Sequence, residues 1–145
     1  MSDDADSTEA QRNRAGSSLR SRALRMLARR EHSREELRRK LGGPETDAAD
    51  IEALIGEFER QGWLSEQRLT DQAVALARGR YGSRRVLDHL RQKGVAGEPL
   101  AWAVDALKAQ ELESAQAVWR KRFGRPPADL AEKAKHARFL AGRGF

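Results

Sequence analysis

An all-α protein built from tandem three-helix, helix-turn-helix-like repeats is what this sequence predicts, on three observations. Apolar residues recur at spacings of three and four through most of the chain, as helices with one buried face require. No stretch alternates apolar and polar residues with period two, so no sheet is expected. Self-comparison finds L-R-Q-K-G-V at Leu90–Val95 again as L-A-G-R-G-F at Leu140–Phe145, and Ser33 and Ser83 precede their helices at the same interval of 50 residues. The order helix, short helix, helix therefore recurs in residues 19–64, 65–110 and 111–145, and the third repeat stops short of its last helix. Units this small gain stability by stacking on their neighbours, which predicts an elongated, curved molecule.

Each element has a local reason. Residues 1–18 hold almost no large apolar side chain and are expected to form a disordered tail. Leu19, Ala23, Leu24 and Leu27 define a first helix ending near His32. Ser33 and Glu36 have capping-box spacing and open a short second helix with Leu37 and Leu41 inward, which Gly42, Gly43 and Pro44 end. Ile51, Leu54, Ile55 and Phe58 mark a third helix over 47–61 that Gly62 closes. The fourth, 65–80, rests on Leu69, Ala73, Leu76 and Ala77. The fifth is capped by Ser83, buries Val86, Leu87 and Leu90, and stops at Gly94. Pro99 as the first helical residue opens a sixth on Leu100, Val104 and Leu107. Leu112, Ala115, Trp119 and Phe123 give a seventh, and Leu130, Ala134, Ala137 and Leu140 an eighth.

The 145 residues include 34% charged and 6% aromatic side chains and carry a net charge of +6, a balance that attracts polyanions such as nucleic acid or an acidic protein. The absence of cysteine excludes disulfides and thiol chemistry. No apolar run approaches the roughly 18 residues of a membrane helix, and no basic-then-apolar leader opens the chain, so a cytoplasmic, membrane-free protein is expected. His32, His89 and His136 lie far apart without metal-ligand spacing and are expected at the surface. There is no phosphate-binding loop or nucleophile elbow either, and neither catalysis nor a cofactor is expected.

Charge is distributed unevenly. The stretch R-G-R-Y-G-S-R-R-V-L-D-H-L-R-Q-K-G-V, Arg78 to Val95, sets six cations against the single acid Asp88 across a helix end, a turn and a second helix. In the second helix Glu35 can pair with Arg39 and Glu36 with Lys40, which leaves Arg34 and Arg38 without an i,i+4 partner. The binding candidates are therefore Arg34, Arg38, Arg78, Arg80, Tyr81, Arg84, Arg85, Arg91 and Lys93, the arginines of both helices forming one basic track. Against this stands an acidic block from Glu45 to Glu66 that could absorb part of the charge. Trp63 and Trp119 are expected in the core and Trp102 at a contact between repeats. Tyr81, inside the basic turn, is the aromatic residue placed to meet a partner.

The runs A-L-R-M-L-A-R-R-E-H-S-R-E-E-L-R-R-K-L at Ala23–Leu41, F-E-R-Q-G-W-L-S-E-Q-R-L at Phe58–Leu69, the basic stretch, and A-R-F-L-A-G-R-G-F at Ala137–Phe145 together resemble the RecX family of bacterial recombination regulators. The resemblance implies tandem three-helix repeats that lodge in the groove of the RecA–single-stranded DNA filament. It also implies inhibition of RecA ATPase, strand exchange and coprotease activity, with consequences for DNA repair and the SOS response. A monomer is expected, and its binding to duplex DNA is expected to be weak and without sequence preference, since no base-edge readers stand out. The alternative is a helix-turn-helix transcription regulator. Against it, the helix from Ser83 to Lys93 has no Asn or Gln base reader near its start, and no heptad seam for a dimer is present.

Overall fold

The structure, a computed structural model, describes residues 3–145, and among them the chain forms seven α-helices and no strand. Met1 and Ser2, where the expected tail begins, lie outside the described residues. None of the helices is long and apolar enough to cross a membrane. The helices fall into two compact units, one ending at Glu66 and the other spanning Gln67–Phe145.

The first unit contains α1 (Asp3–Arg29), α2 (Arg34–Leu41) and α3 (Ala48–Arg60). α1 starts far earlier than expected, so residues 3–18 of the stretch read as a tail are helical. Asp4 and Asp6 complement the positive end of the helix dipole, and Ala5, Ala10, Gln11 and Ala15 favour helix without burying anything large. The capping box of α2 is formed: Ser33 Oγ accepts from the Glu36 amide at 3.0 Å, and Glu36 accepts from the Ser33 amide at 3.1 Å. Leu19 and Ala23 of α1, Leu37 and Leu41 of α2, and Ile51, Leu54, Ile55 and Phe58 of α3 close one core with Leu64. Gly62, at φ 75°, turns the chain so that the amides of Trp63 and Leu64 both donate to the Phe58 carbonyl. Leu64 enters the core, whereas Trp63 stays 42% exposed, tilted on Phe58 at 5.5 Å with the Arg20 guanidinium 5.9 Å above it.

The second unit holds all but the first residue of α4 (Glu66–Ala77), with α5 (Ser83–Gln92), α6 (Gly97–Arg122) and α7 (Leu130–Gly142). Its core joins Leu69, Val74 and Ala77 to Val86, Leu90 and Val95 and to Ala103 and Leu107. Leu76 is 68% exposed, since Thr70 and Val74 take the inner face of α4 beside Leu69 and Ala77. The expected sixth and seventh helices are one helix, because nothing between Leu107 and Ala115 breaks it. Pro99 therefore sits third in α6 and not first, still within the turn where its missing N–H costs no intrahelical bond. Leu112, expected inside, is 72% exposed.

Polar side chains on one face of α6 fasten the ends of α4 and α5. Gln110 Nε2 donates to the Val74 carbonyl at 3.1 Å, and Ser114 Oγ accepts from the Gly79 amide at 3.0 Å. Glu111 accepts from both the amide and the hydroxyl of Ser83, at 3.1 and 2.9 Å. Ser83 is thus the first residue of α5 and not its cap, a position Gly82 takes. α7 buries no residue fully, and Leu130 is 83% exposed. It attaches to the end of α6 through aromatic contacts, with His136 stacked on Phe123 at 3.7 Å, Phe139 edge-on to Phe123 at 5.5 Å, and Trp119 Nε1 donating to His136 Nδ1 at 3.2 Å.

Candidate functional site

The nine candidate residues divide between the two units. Arg34 and Arg38 belong to the first, and both are already engaged. The Arg34 guanidinium grips Glu59 of α3 with two nitrogens, Nε lying 2.6 Å from Oε1 and Nη2 closing the second contact. Arg38 grips Glu52 in the same forked way, its Nη2 at 3.1 Å, and reaches Glu35 at 3.5 Å. The expectation that these arginines lack partners considered only their own helix. The acidic α3 supplies the partners across the unit. The pairing holds both guanidinium groups more firmly protonated than usual, the hydrogen bonds from Glu59 and Glu52 being the main cause, and the bond from Arg38 lowers Glu52 below its ordinary value. Of the expected pairs along α2, Arg39 meets Glu35 at 3.4 Å, while Glu36 turns to Arg30 at 2.6 Å and to the cap.

The second unit gathers four candidates around one concavity. An open groove of about 800 Å³ runs between α4, α5 and the end of α7, with Arg80, Tyr81, Arg84 and Arg85 on its border. Arg85 lies over the Tyr81 ring at 4.0 Å, and Arg143 approaches the same ring at 5.6 Å. Arg84 Nη2 donates to the Phe145 main-chain oxygen at 2.8 Å. Arg78 is exposed at the end of α4, and neither it nor Arg80 meets a carboxylate among the described residues. Arg91 does not line the groove and pairs with Asp88 at 3.7 Å. Lys93 ends α5, its amide bonded to the His89 carbonyl at 3.2 Å.

A glycine contact builds this corner. The amides of Gly82 and Arg84 donate to the carbonyls of Arg143 and Gly144 at 2.8 and 3.2 Å, so the R-G-F segment covers the first turn of α5. A Cβ at Gly82 would lie 2.4 Å from the Gly144 carbonyl carbon, so this approach depends on glycine at 82. Gly144 itself adopts φ 94°. The repeat L-x-x-x-G-[VF] has a matching geometry at its two sites: Val95 donates to Leu90 at 3.0 Å and Phe145 to Leu140 at 3.1 Å, each past a glycine of positive φ. F-E-R-Q-G-W at Phe58–Trp63 is a third example, which self-comparison missed because only its glycine matches in type.

Two further features escaped sequence reasoning. Leu76, Gly142 and Gly144 line the groove, though periodicity assigned Leu76 to the core. The segment from Arg120 to Arg143 carries eight cations against Asp129 and Glu132. Both acids serve α7, Asp129 accepting from the Glu132 amide and Glu132 from the Ala128 amide, each at 2.8 Å. A simple charge count would have found it. His32, expected at the surface, is buried behind α2, with Nδ1 3.0 Å from the Arg30 carbonyl and Nε2 3.5 Å from Lys40 Nζ. Burial chiefly lowers its pKa from the ordinary 6.5, against the raising effect of the Arg30 carbonyl. No group of acidic residues and histidines among the described residues is arranged to hold a metal ion.

Comparison with known proteins gives one consistent result. Residues 20–58 match the family model for the first three-helix domain of RecX, and residues 109–145 the model for the third. "Regulatory protein RecX" of Leptothrix cholodnii is 46% identical over 133 residues, covering 92% of this chain and 85% of the relative. The protein of the same name from Ralstonia nicotianae is 44% identical over 128 residues, covering 88% and 80%. Among solved structures, RecX from Lactobacillus salivarius superposes with a TM-score of 0.75 at 18% identity, covering 92% of this chain and 90% of that one. A second RecX crystal structure gives 0.69 at 20% identity, covering 90% and 68%. At such identities the two structures speak for the fold alone.

Proposed function

We propose, from the premise that this chain belongs to the RecX family of regulatory proteins, that it binds the RecA–single-stranded DNA filament and inhibits RecA ATPase, strand exchange and coprotease activity. The observation that carries the reading is the corner between α4 and α5, where Arg78, Arg80, Arg84 and Arg85 are exposed and meet no side-chain carboxylate among the described residues. Exposed cations without internal acids are available to phosphate or to an acidic protein surface. Arg34 and Arg38 are a lesser part of the surface, since each holds a glutamate. The amides at the start of α5 bond to Arg143, Gly144 and Glu111, and the exposed side chains of its first turn, Arg84 and Arg85, include no Asn or Gln to read bases. The lack of such readers supports the filament regulator over a sequence-specific transcription factor.

The test is binding to RecA filaments preassembled on single-stranded DNA with a slowly hydrolysed ATP analogue, against bare single-stranded and duplex DNA at the same physiological salt. Tighter binding to the filament is expected, with a parallel fall of RecA ATPase when ATP is used. Arg78→Ala with Arg80→Ala should weaken filament binding more than Arg34→Ala with Arg38→Ala. Equal or tighter binding to bare duplex, with a sequence preference, would overturn the reading.

A further inference from the structure

We infer that the groove of the second unit docks an acidic, amphipathic protein segment, with an apolar side chain laid on Leu76 and carboxylates set against Arg80, Arg84 and Arg85. The inference rests on the filament reading only for whose segment it is: there, the filament's protein, and not its nucleic acid.

The floor of the groove carries the argument. Leu76 is 68% exposed, and Ala73, Ala77 and Val86 extend the apolar surface on either side of it. A lone exposed leucine is ordinary, but this one lies in a concavity of about 800 Å³ bordered by three arginines. The opposite wall is Ala141, Gly142 and Gly144, and a Cβ at Gly142 would meet nothing within 4 Å, so the space there is open to a visitor's backbone. Two of the arginines are held in position before any partner arrives, Arg85 by the Tyr81 ring and Arg84 by the Phe145 oxygen. Such preorganisation lowers the ordering cost of binding. A sugar–phosphate backbone would satisfy the arginines yet leave the leucine facing polar atoms. A helix or extended segment carrying both carboxylates and an apolar side chain satisfies both. The acid on this rim, Asp88, already faces Arg91.

The experiment uses the full chain with three labelled probes: a helical peptide bearing a leucine stripe and glutamates, polyglutamate, and oligo-dT. Two variants alter the groove without touching the core, Leu76→Ser at an exposed position, which removes the apolar side chain without adding charge, and Gly142→Leu on a helix with open space beside it, which fills that space. The peptide should bind more tightly than polyglutamate. Leu76→Ser should lower its affinity roughly tenfold or more, as expected for losing one buried leucine contact, and Gly142→Leu should lower it by filling the space the visitor's backbone needs, with melting temperature and oligo-dT affinity nearly unchanged in both. Peptide binding no better than polyglutamate overturns the inference. So does an equal loss of oligo-dT affinity, which would make the groove a nucleic-acid surface. Repeating the titration with RecA filaments separates the two readings. If the unmodified chain ignores the filament but binds the peptide as stated, the proposed function falls and the groove assignment stands. If it binds the filament equally well with either variant, the groove assignment falls and the function stands.

Discussion

His32 is the residue whose surroundings most constrain its chemistry. Its Nδ1 faces the Arg30 carbonyl and its Nε2 faces Lys40, an arrangement that suits a neutral ring donating at one nitrogen and accepting at the other. With the folded pKa below the ordinary 6.5, the unfolded chain binds the proton first as pH falls. Stability from this residue is complete above the unfolded value, declines as pH drops from there to the folded value, and changes no further below it. Melting temperature should therefore fall on acidification through that window, and His32→Gln should remove that part of the fall. Glu52 acts in a separate, lower window, since its depressed pKa makes it a source of stability lost only below the ordinary carboxylate value of 4.5. An unchanged pH profile in His32→Gln would show that the ring titrates alike in both states.

Among the elements, the corner of α4, α5 and the R-G-F segment depends on backbone approaching backbone. Gly82→Ala would push a methyl group against the carbonyl of Gly144, where no flexible side chain can yield. The expected result is loss of the two main-chain bonds to residues 143 and 144 and about 1–3 kcal/mol of stability, read from the denaturation midpoint. An unaltered midpoint would mean that this contact does not contribute. Little of this was legible in advance, because the glycine pair is 62 positions apart and its meaning is spatial. The capping box at Ser33 and the stop at Gly94 were legible, because their partners lie within a few residues. The forked pairs from α2 to α3 fall between these cases: the acidic block was visible, but which arginine meets which glutamate needed the fold.

For the whole molecule, the decisive quantity is how its excess of +6 is divided. The first unit neutralises many of its arginines internally, with pairs at Arg20, Arg30, Arg34 and Arg38. In the second, the α4–α5 corner and the Arg120–Arg143 segment present cations with few acids nearby. If phosphate contacts form along the Arg120–Arg143 segment, affinity for oligo-dT should fall with salt by roughly 0.7 log unit per contacted phosphate for each log unit of salt. Lys133→Ala, Lys135→Ala and Arg138→Ala together should flatten that slope. An unchanged slope would assign these cations to solvent.

Helix type, the absence of sheet among the described residues, the repeated glycine stop and the family were all determined by the sequence alone. Each depends on residues close together in the chain or on ordered motifs that need no coordinates. Tertiary structure decided which cations remain available, why one long α6 replaces two helices, and that Leu76 belongs to a groove and not a core. The physical reason is common to all three. Pairing, burial and concavity are properties of surfaces brought together from distant segments, and helical periodicity specifies only which side chains share a face.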